Sequence, residues 1–236
     1  MRILITNDDG INAEGIKLLA ERAKKYGEVL IVAPTDEMSA TSHAINVRSY
    51  FEYKKIDDNT YSVASTPGDC IRFAYYGLNL DFDMIFSGVN KGFNVGEDIW
   101  YSGTLAAIFE ADSLKKKAIA FSSDRNSFDG FISHFDEVME FIDKNRLFDY
   151  CNQYSVNFPS NPKGIRITRQ GGCNFRTFFG FNDTSAIQLG DPTFEKDPNK
   201  LELDTSCVMN NYISITPLTS DRTNLNVFQK IRDISK

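Results

Sequence analysis

Residues 1–10 read MRILITNDDG, an aliphatic run that ends in two adjacent aspartates. Buried parallel strands have continuous aliphatic sequences, so the run Ile3 to Thr6 predicts an opening strand inside a sheet. Ligands of open α/β sheets bind in the crevice beyond the carboxyl ends of such strands. Asp8 and Asp9 therefore lie where a functional site is expected.

The two carboxylates admit two interpretations. Carboxylate oxygens preceded by Asn7 and followed by Gly10 form a hard-ligand cluster that suits Mg²⁺, Mn²⁺ or Ca²⁺. The same residue types are also the usual choice in a simple Asx or Asp-Gly turn. At this point the sequence favours a metal site only slightly over a turn.

The pattern after this turn predicts a Rossmann-like, doubly wound α/β core over residues 1–154, with a mostly parallel sheet. Residues 13–26 have helical periodicity that ends at Gly27, and residues 29–33 form a second aliphatic run before Pro34. Strand, helix and strand within so short a span indicate a βαβ unit. Two more alternations follow: a strand at 84–86 before a helix from about 102, and a strand at 118–121 before a helix at about 128–144.

A β-rich C-terminal part is predicted over residues 155–236, where short β-type runs alternate with Gly, Asn, Asp and Pro. Residues 171–204 have weak periodicity but contain large apolar side chains, among them Phe175, Phe178, Phe179, Phe181 and Ile187. These residues predict an arm that exchanges between subunits, and the alternative is a hairpin over the chain's own sheet edge. The last sixteen residues, from Asp221, predict a terminal helix.

Composition excludes several classes of protein. The net charge of -6 indicates no excess of basic residues that would bind nucleic acid stably or attach the protein to a membrane surface. The four cysteines lack paired metal spacing and predict ordinary reduced thiols. No run of apolar residues is long enough to span a bilayer, and no secretion signal is evident, so we expect a cytoplasmic protein.

Three other segments carry chemistry that is compatible with the first loop. Residues 35–43 are rich in hydroxyl groups and end at His43, for which a solvated loop residue is the alternative. Residues 87–96 contain three glycines, which let backbone amides approach a ligand. Ser102, Gly103 and Thr104 begin an apolar helix, where free amides and the helix dipole favour an anion, although Ser or Thr is also an ordinary N-cap. No dinucleotide-binding or Walker-type glycine motif is present.

Together these segments resemble the SurE (survival protein E) family of 5′/3′-nucleotidases. The resemblance rests on ordered motifs through nearly the whole chain. They are MRILITNDDGI at 1–11, AEGI at 13–16, VAP at 32–34, STPGDC at 65–70, SGVNKGFNVG at 87–96, YSGT at 101–104, GIRITR at 164–169 and YISITPLTSDRT at 212–223.

The resemblance implies a divalent-metal-dependent phosphomonoesterase acting on nucleoside 5′-monophosphates and also on 3′-monophosphates. It implies one divalent cation per subunit, Mg²⁺ or Mn²⁺, and a homodimer or homotetramer. The implied ligands are Asp8, Asp9, Ser39 and Asn90, with Asp8 and Asp9 as the catalytic pair. The residues expected to contact the substrate are Asn7, His43, Gly88, Asn94, Ser102, Gly103 and Thr104.

Three other functions are alternatives to this one. A haloacid-dehalogenase-type phosphatase is disfavoured because its two aspartates are separated by one residue, whereas Asp8 and Asp9 are adjacent. A nucleotide-binding or sensing module with little turnover is a second possibility, and a phosphatase for short polyphosphate or other small phosphomonoesters is a third. A phosphate-release assay distinguishes the binding module from an enzyme.

Overall fold

The protein is described from a computed structural model that covers residues 1–194 and 196–234, and the side chains of residues 173–176 and 191–193 are not described. The strands are β1 (Arg2–Thr6), β2 (Glu28–Pro34), β3 (Tyr53–Asp57), β4 (Thr60–Val63), β5 (Met84–Lys91), β6 (Lys117–Ser123), β7 (Gln153–Phe158), β8 (Ile165–Ile167), β9 (Cys173–Phe181), β10 (Ala186–Phe194) and β11 (Ile213–Leu218). The α-helices are α1 (Glu14–Ala23), α2 (Pro67–Arg72), α3 (Gly103–Ser113), α4 (Asp129–Lys144), α5 (Asp204–Met209) and α6 (Leu225–Ile231).

The strands outside the β9–β10 hairpin form one sheet of nine strands in the order β3-β4-β2-β1-β5-β6-β7-β11-β8. The central run from β4 to β7 is parallel throughout. β3 is antiparallel to β4 and β11 is antiparallel to β7, whereas β8 is parallel to β11. The chain runs from β1 to β2 on one side and then crosses to β5 on the other, so β1 and β5 form a topological switch point.

Hydrophobic cores lie on both faces of this sheet. Along β1, Ile3 and Ile5 point to the face covered by α1 and α4, where Phe86 and Phe121 also pack. Leu4 points to the opposite face, against α2 and α3. Successive side chains of a strand point to opposite faces of the sheet. A strand that is buried on both faces therefore needs apolar side chains at consecutive positions.

The predicted α/β fold with a mostly parallel sheet is confirmed. The helix expected at residues 13–26 is shorter, because α1 ends at Ala23, and α3 begins beside Ser102 as expected. The predicted division at residue 154 falls inside β7, so strands from both parts share one sheet. The sequence patterns did not predict the β3–β4 hairpin, α2 or α5.

The C-terminal part contains a separate two-stranded antiparallel hairpin, β9–β10. The terminal helix, α6, exposes Leu225, Val227, Phe228 and Ile231. Among the described residues, no helix is both long and apolar enough to cross a membrane.

Candidate functional site

The loops after β1, β2 and β5 meet the start of α3 at the carboxyl edge of the sheet. Contacts across this edge tie the loops together. The Met38 amide donates to the Asp8 carbonyl at 2.7 Å, and the Lys91 backbone interacts with the Asp9 carboxylate. The candidate site therefore lies at the switch point between β1 and β5.

Asp8 is almost completely buried against the first turn of α3. Its carboxylate accepts a hydrogen bond from the Thr104 hydroxyl. Burial raises the pKa of Asp8, and the interactions with Thr104 and with the Gly103 backbone oppose that effect. A carboxylate in this position is held by the helix start but is poorly solvated, so a bound cation would stabilise its charge.

Asp9 is partly exposed and has a neighbouring acid. Burial, followed by the charge of Asp8, raises the pKa of Asp9 to about 6, and the Lys91 backbone opposes this shift. The charge of Lys91 also opposes the shift, but it is the weakest of the effects on Asp9, and no ion pair within 4 Å joins either carboxylate to a cationic side chain among the described residues. Two adjacent, poorly compensated carboxylates form an electronegative centre with an affinity for a small cation.

The turn expected from the sequence is also present. Asn7 donates from Nδ2 to the Gly10 carbonyl at 2.9 Å, and Gly10 has a φ of 96°, which favours glycine. The residues that form this turn can therefore also form a ligand site. Asn7 Oδ1 and Ser87 Oγ, at the ends of neighbouring strands, are buried without a hydrogen-bond partner among the described residues.

Ser39 lies on the loop after β2, and Asn90 lies near the carboxyl end of β5. The Ser39 hydroxyl donates to Glu37 Oε1 at 2.7 Å, and Ser39 follows Met38, whose amide is bound to Asp8. Asn90 donates from Nδ2 to the Gly92 carbonyl at 2.8 Å, which orients its amide and leaves Oδ1 as an acceptor. Each residue thus keeps oxygen lone pairs for a ligand.

The three residues of the proposed anion seat have different local partners. Ser102 Oγ caps α3 by accepting from the Leu105 amide at 3.1 Å, so the ordinary capping interpretation applies to it. The Thr104 hydroxyl donates its hydrogen bond to Asp8 and not towards the open edge of the sheet. Gly103 lies so close to Asp8 that a Cβ there would be 2.8 Å from the Asp8 Cβ.

Two expected contact residues, Gly88 in β5 and Asn94 on the loop after it, are packed against neighbouring strands. The Asn94 side chain donates to Ser122 Oγ at 2.9 Å, and the Asn94 amide donates to Asn157 Oδ1 at 2.8 Å. A Cβ on Gly88 would lie 2.2 Å from the Phe121 carbonyl oxygen, so glycine permits close strand packing. Both residues have structural partners that their spacing in the sequence did not reveal.

His43 lies beside α3 and contacts a residue that the sequence patterns did not single out. Its Nε2 is 2.8 Å from Glu110 Oε1, and Arg72 donates to the other Glu110 oxygen at 3.2 Å. Glu110 is one of the few charged residues that are buried. A charged residue inside the apolar helix after YSGT is the only signal that the sequence offers for it.

The oxygen atoms of this site fit a hard cation that is bound by only two charged ligands. No group of three His, Cys, Asp or Glu side chains meets anywhere in the described residues, so a cation here would depend on two carboxylates and neutral oxygens. Asp8, Asp9, Ser39 and Asn90 supply that combination of two charges, a hydroxyl and an amide oxygen. These are ligands that Mg²⁺ and Mn²⁺ accept.

Comparison with known proteins agrees over the full length of the chain. The family model described as Survival protein SurE matches residues 3–177. A protein of Kosmotoga olearia named 5′-nucleotidase SurE is 33% identical, over 99% of this chain and 98% of the relative. A protein of Clostridium botulinum with the same name is 34% identical, over 99% of each chain. The crystal structure of a SurE protein from Aquifex aeolicus superposes with a TM-score of 0.80 at 30% identity, covering 100% of both chains.

Proposed function

Because the chain belongs to the SurE family, we infer that it is a 5′-nucleotidase, which hydrolyses nucleoside 5′-monophosphates to nucleoside and phosphate. The curated relatives cover the chain from end to end and carry this activity in their names. We extend the proposal to nucleoside 3′-monophosphates, because the proposed contacts at the sheet edge address the terminal phosphate and not a particular sugar carbon.

One observation carries the proposal: the buried carboxylate of Asp8 is held against the first turn of α3, with Asp9 beside it. This arrangement puts negative ligand charge next to the positive end of a helix dipole. A cation and a phosphate are complementary to these two features, so both fit within one site.

The proposed metal is one Mg²⁺ or Mn²⁺ per subunit, held by Asp8, Asp9, Ser39 and Asn90. When bound, such a cation polarises the phosphoryl group and lowers the pKa of water. The protein's own residues fix the geometry. Thr104 holds the Asp8 carboxylate, and the Gly92 carbonyl orients the Asn90 amide.

The proposed phosphate contacts are the Gly103 amide and the Ser102 hydroxyl. Ser102 Oγ accepts the helix-capping bond, so its own proton remains available to a phosphate oxygen. Asn7 supplies a buried oxygen with no described partner, and His43 lies near the same helix. Asn94 and Gly88 would act indirectly, by packing against β6 beneath this edge of the sheet. A phosphodiester has one charge fewer and a second bulky group, so we expect terminal monoesters to be preferred.

Phosphate release from nucleoside monophosphates tests this function. After exhaustive chelation we expect turnover to disappear, and after addition of Mg²⁺ or Mn²⁺ we expect it to return, because the site has two carboxylates without cationic partners. A panel of 5′- and 3′-monophosphates, short polyphosphate and a phosphodiester gives the substrate preference. Full activity in chelator, or faster cleavage of the diester, contradicts the proposal.

We further propose that the protein is a cytoplasmic homodimer or homotetramer. The three cysteines whose side chains are described, Cys70, Cys151 and Cys207, are all free thiols, in keeping with a reducing compartment. Support for an oligomer comes from apolar side chains exposed on β9, β10 and α6.

A further inference from the structure

The side chains of Glu110 and Arg72 connect the His43 ring to helices α3 and α2. His43 Nε2 is 2.8 Å from Glu110 Oε1 on α3, and Arg72 Nη1 from α2 is 3.2 Å from Glu110 Oε2. The Glu110 side chain is 9% exposed, whereas that of His43 is 29% exposed. The ring also lies against Phe109, with centroids 6.1 Å apart. The buried carboxylate thus anchors a partly exposed imidazole.

Glu110 determines which ring nitrogen carries the proton. Burial by itself raises the pKa of Glu110, but hydrogen bonds from His43 and Arg72 outweigh burial and lower the pKa below its usual value. An ionised carboxylate only accepts hydrogen bonds, so Nε2 of His43 must be protonated. Nδ1 has no hydrogen-bond partner among the described residues. Nδ1 is therefore the nitrogen that a ligand can use.

The backbone around His43 is fixed to the site from both sides. Ser42, which precedes it, donates to the carbonyl oxygens of Tyr101 at 2.9 Å and Trp100 at 2.7 Å, directly before Ser102. On the other side, the Thr66 hydroxyl donates to the Ala44 carbonyl at 2.7 Å. This segment therefore lies against the residues that lead into α3, and the imidazole contacts α3 at Phe109 and Glu110.

Resting on the proposed nucleotidase function, we propose that Glu110 is a positioning residue of this site. It holds the His43 imidazole with Nε2–H turned towards α3 and leaves Nδ1 for the phosphomonoester. Arg72 fixes the second oxygen of Glu110 and pairs its buried charge. Glu110 does not touch the substrate and acts through His43, as carboxylates behind functional imidazoles do.

Nitrogen-15 NMR of the imidazoles tests the positioning without any enzyme assay. The chain has only two histidines, so a His43→Gln variant assigns the His43 signals. At alkaline pH, where an imidazole is neutral, we expect His43 in wild-type protein to be the Nε2–H tautomer. Glu110→Gln should abolish this preference, because an amide both donates and accepts. Asp112→Asn, an acid on the same helix that contacts Gln153 and Ser220, should not.

The wild-type spectrum decides this point even if a variant fails to fold. An Nδ1–H tautomer for neutral His43, or an equal mixture of both, overturns the proposal. So does an unchanged tautomer in Glu110→Gln.

A double-mutant cycle tests whether Glu110 acts through His43. With a nucleoside 5′-monophosphate, we expect Glu110→Gln to lower kcat about 10- to 100-fold, the range for carboxylates that orient functional histidines. In a His43→Ala background the same change should have almost no further effect. Asp112→Asn should retain wild-type kcat. Additive losses in the double variant contradict the proposal, because a purely structural role of Glu110 does not depend on the His43 ring.

The two experiments separate this inference from the proposed function. Wild-type protein that releases no phosphate from any nucleotide refutes the nucleotidase function, while the tautomer measurement still decides whether Glu110 positions His43. Active wild-type protein with additive losses refutes the positioning role alone.

Discussion

At the scale of single residues, the proposed role of Asp9 as a metal ligand conflicts with the stability of the metal-free protein. Its pKa is raised to about 6 by burial and by the charge of Asp8, so the metal-free protein holds an unfavourable charge at neutral pH. Asp9→Asn removes that charge and keeps the shape. We expect the metal-free variant to have a higher Tm than the metal-free wild type, as replacements at strained functional sites often do.

The same substitution should remove metal binding. Wild-type Tm should rise when Mg²⁺ or Mn²⁺ is added, because the ligand binds only the folded state. In Asp9→Asn we expect little rise, together with a loss of kcat of roughly 10²-fold or more, as for other lost electrostatic stabilisers. Asp112→Asn is the control. Equal metal-induced shifts in wild type and Asp9→Asn contradict the assignment of Asp9 as a ligand.

Asp98 gives a pH prediction outside the metal site. Burial, then the charges of Glu97 and Asp204, raise the pKa of Asp98 from 3.8 to about 6, and Arg125 opposes the shift. A raised pKa in the folded state means that the neutral carboxyl is favoured. Its contribution to stability is present below 3.8 and is lost as the pH rises through about 6.

Asp98→Asn should therefore raise Tm at pH 7 and have little effect near pH 4. Thermal unfolding measured across this range checks the prediction, with Asp58→Asn as the control because Asp58 is fully exposed and its pKa is lowered instead. A lower Tm for Asp98→Asn at pH 7 would show that the carboxylate has a stabilising partner in the folded protein.

The sequence was enough to identify individual residues but not their long-range partners. Asp8 and Asp9 stand out because two acids directly follow an aliphatic strand. Thr104 lies 96 residues from Asp8, and Glu110 lies 67 residues from His43. Such pairs meet only because crossovers bring distant strand ends together, so a local pattern holds no trace of them. Whether Asp8, Asp9, Ser39 and Asn90 bind a metal stays a prediction.

At the scale of elements, the start of α3 explains why position 103 is glycine. A Cβ there would lie 2.8 Å from the Asp8 Cβ and 3.2 Å from Pro67 Cγ. Helix propensity alone favours alanine over glycine. We nevertheless expect Gly103→Ala to cost roughly 1–3 kcal/mol of stability, as overpacked sites do, and to lower kcat by displacing Asp8.

Denaturant unfolding and phosphate release measure the two effects of Gly103→Ala. Gly172→Ala is a matched control, because a Cβ at Gly172 has no neighbour within 4 Å. If Gly103→Ala is as stable and as active as wild type, the close approach of α3 to Asp8 is not required.

The elements that the sequence predicted are those with long periodic patterns. α1, α4 and the buried parallel strands have runs of apolar residues that fix their type. β3 is exposed at every residue, so it has no hydrophobic alternation to detect. α2 spans only six residues and depends on the Thr66 cap and on packing against α3. Tertiary contacts determine these short elements, and a local sequence pattern does not contain them.

At the scale of the whole molecule, the strand order accounts for the location of the site. β1 lies between β2 and β5, so the loops after three strands that are distant in sequence end at one edge. The same order puts β7, β11 and β8 at the far side of the sheet, from which the β9–β10 hairpin extends.

The β9–β10 hairpin is apolar on both of its faces. Phe178 and Leu189 pair across the strands on one face, while Phe179 and Phe181 lie on the other. Their exposed fractions are 56%, 39%, 53% and 80% in that order. The side chain of Phe175, which also belongs to the predicted arm, lies outside the described side chains. Packing on the chain's own sheet edge would bury one face only, so an arm enclosed by a partner subunit is the better explanation.

We therefore expect the protein to be a homo-oligomer at micromolar concentration, and Phe179→Ser combined with Phe181→Ser to shift it towards monomer. Burying each phenylalanine contributes about 1.5–3 kcal/mol, so loss of two on every exchanged arm weakens a symmetric interface strongly. Light scattering coupled to size exclusion measures the mass. Tyr50→Ser, which removes an exposed aromatic far from the hairpin in sequence, should leave the mass unchanged. A monomeric wild type, or an unaltered mass in the double variant, excludes the arm as the assembly element.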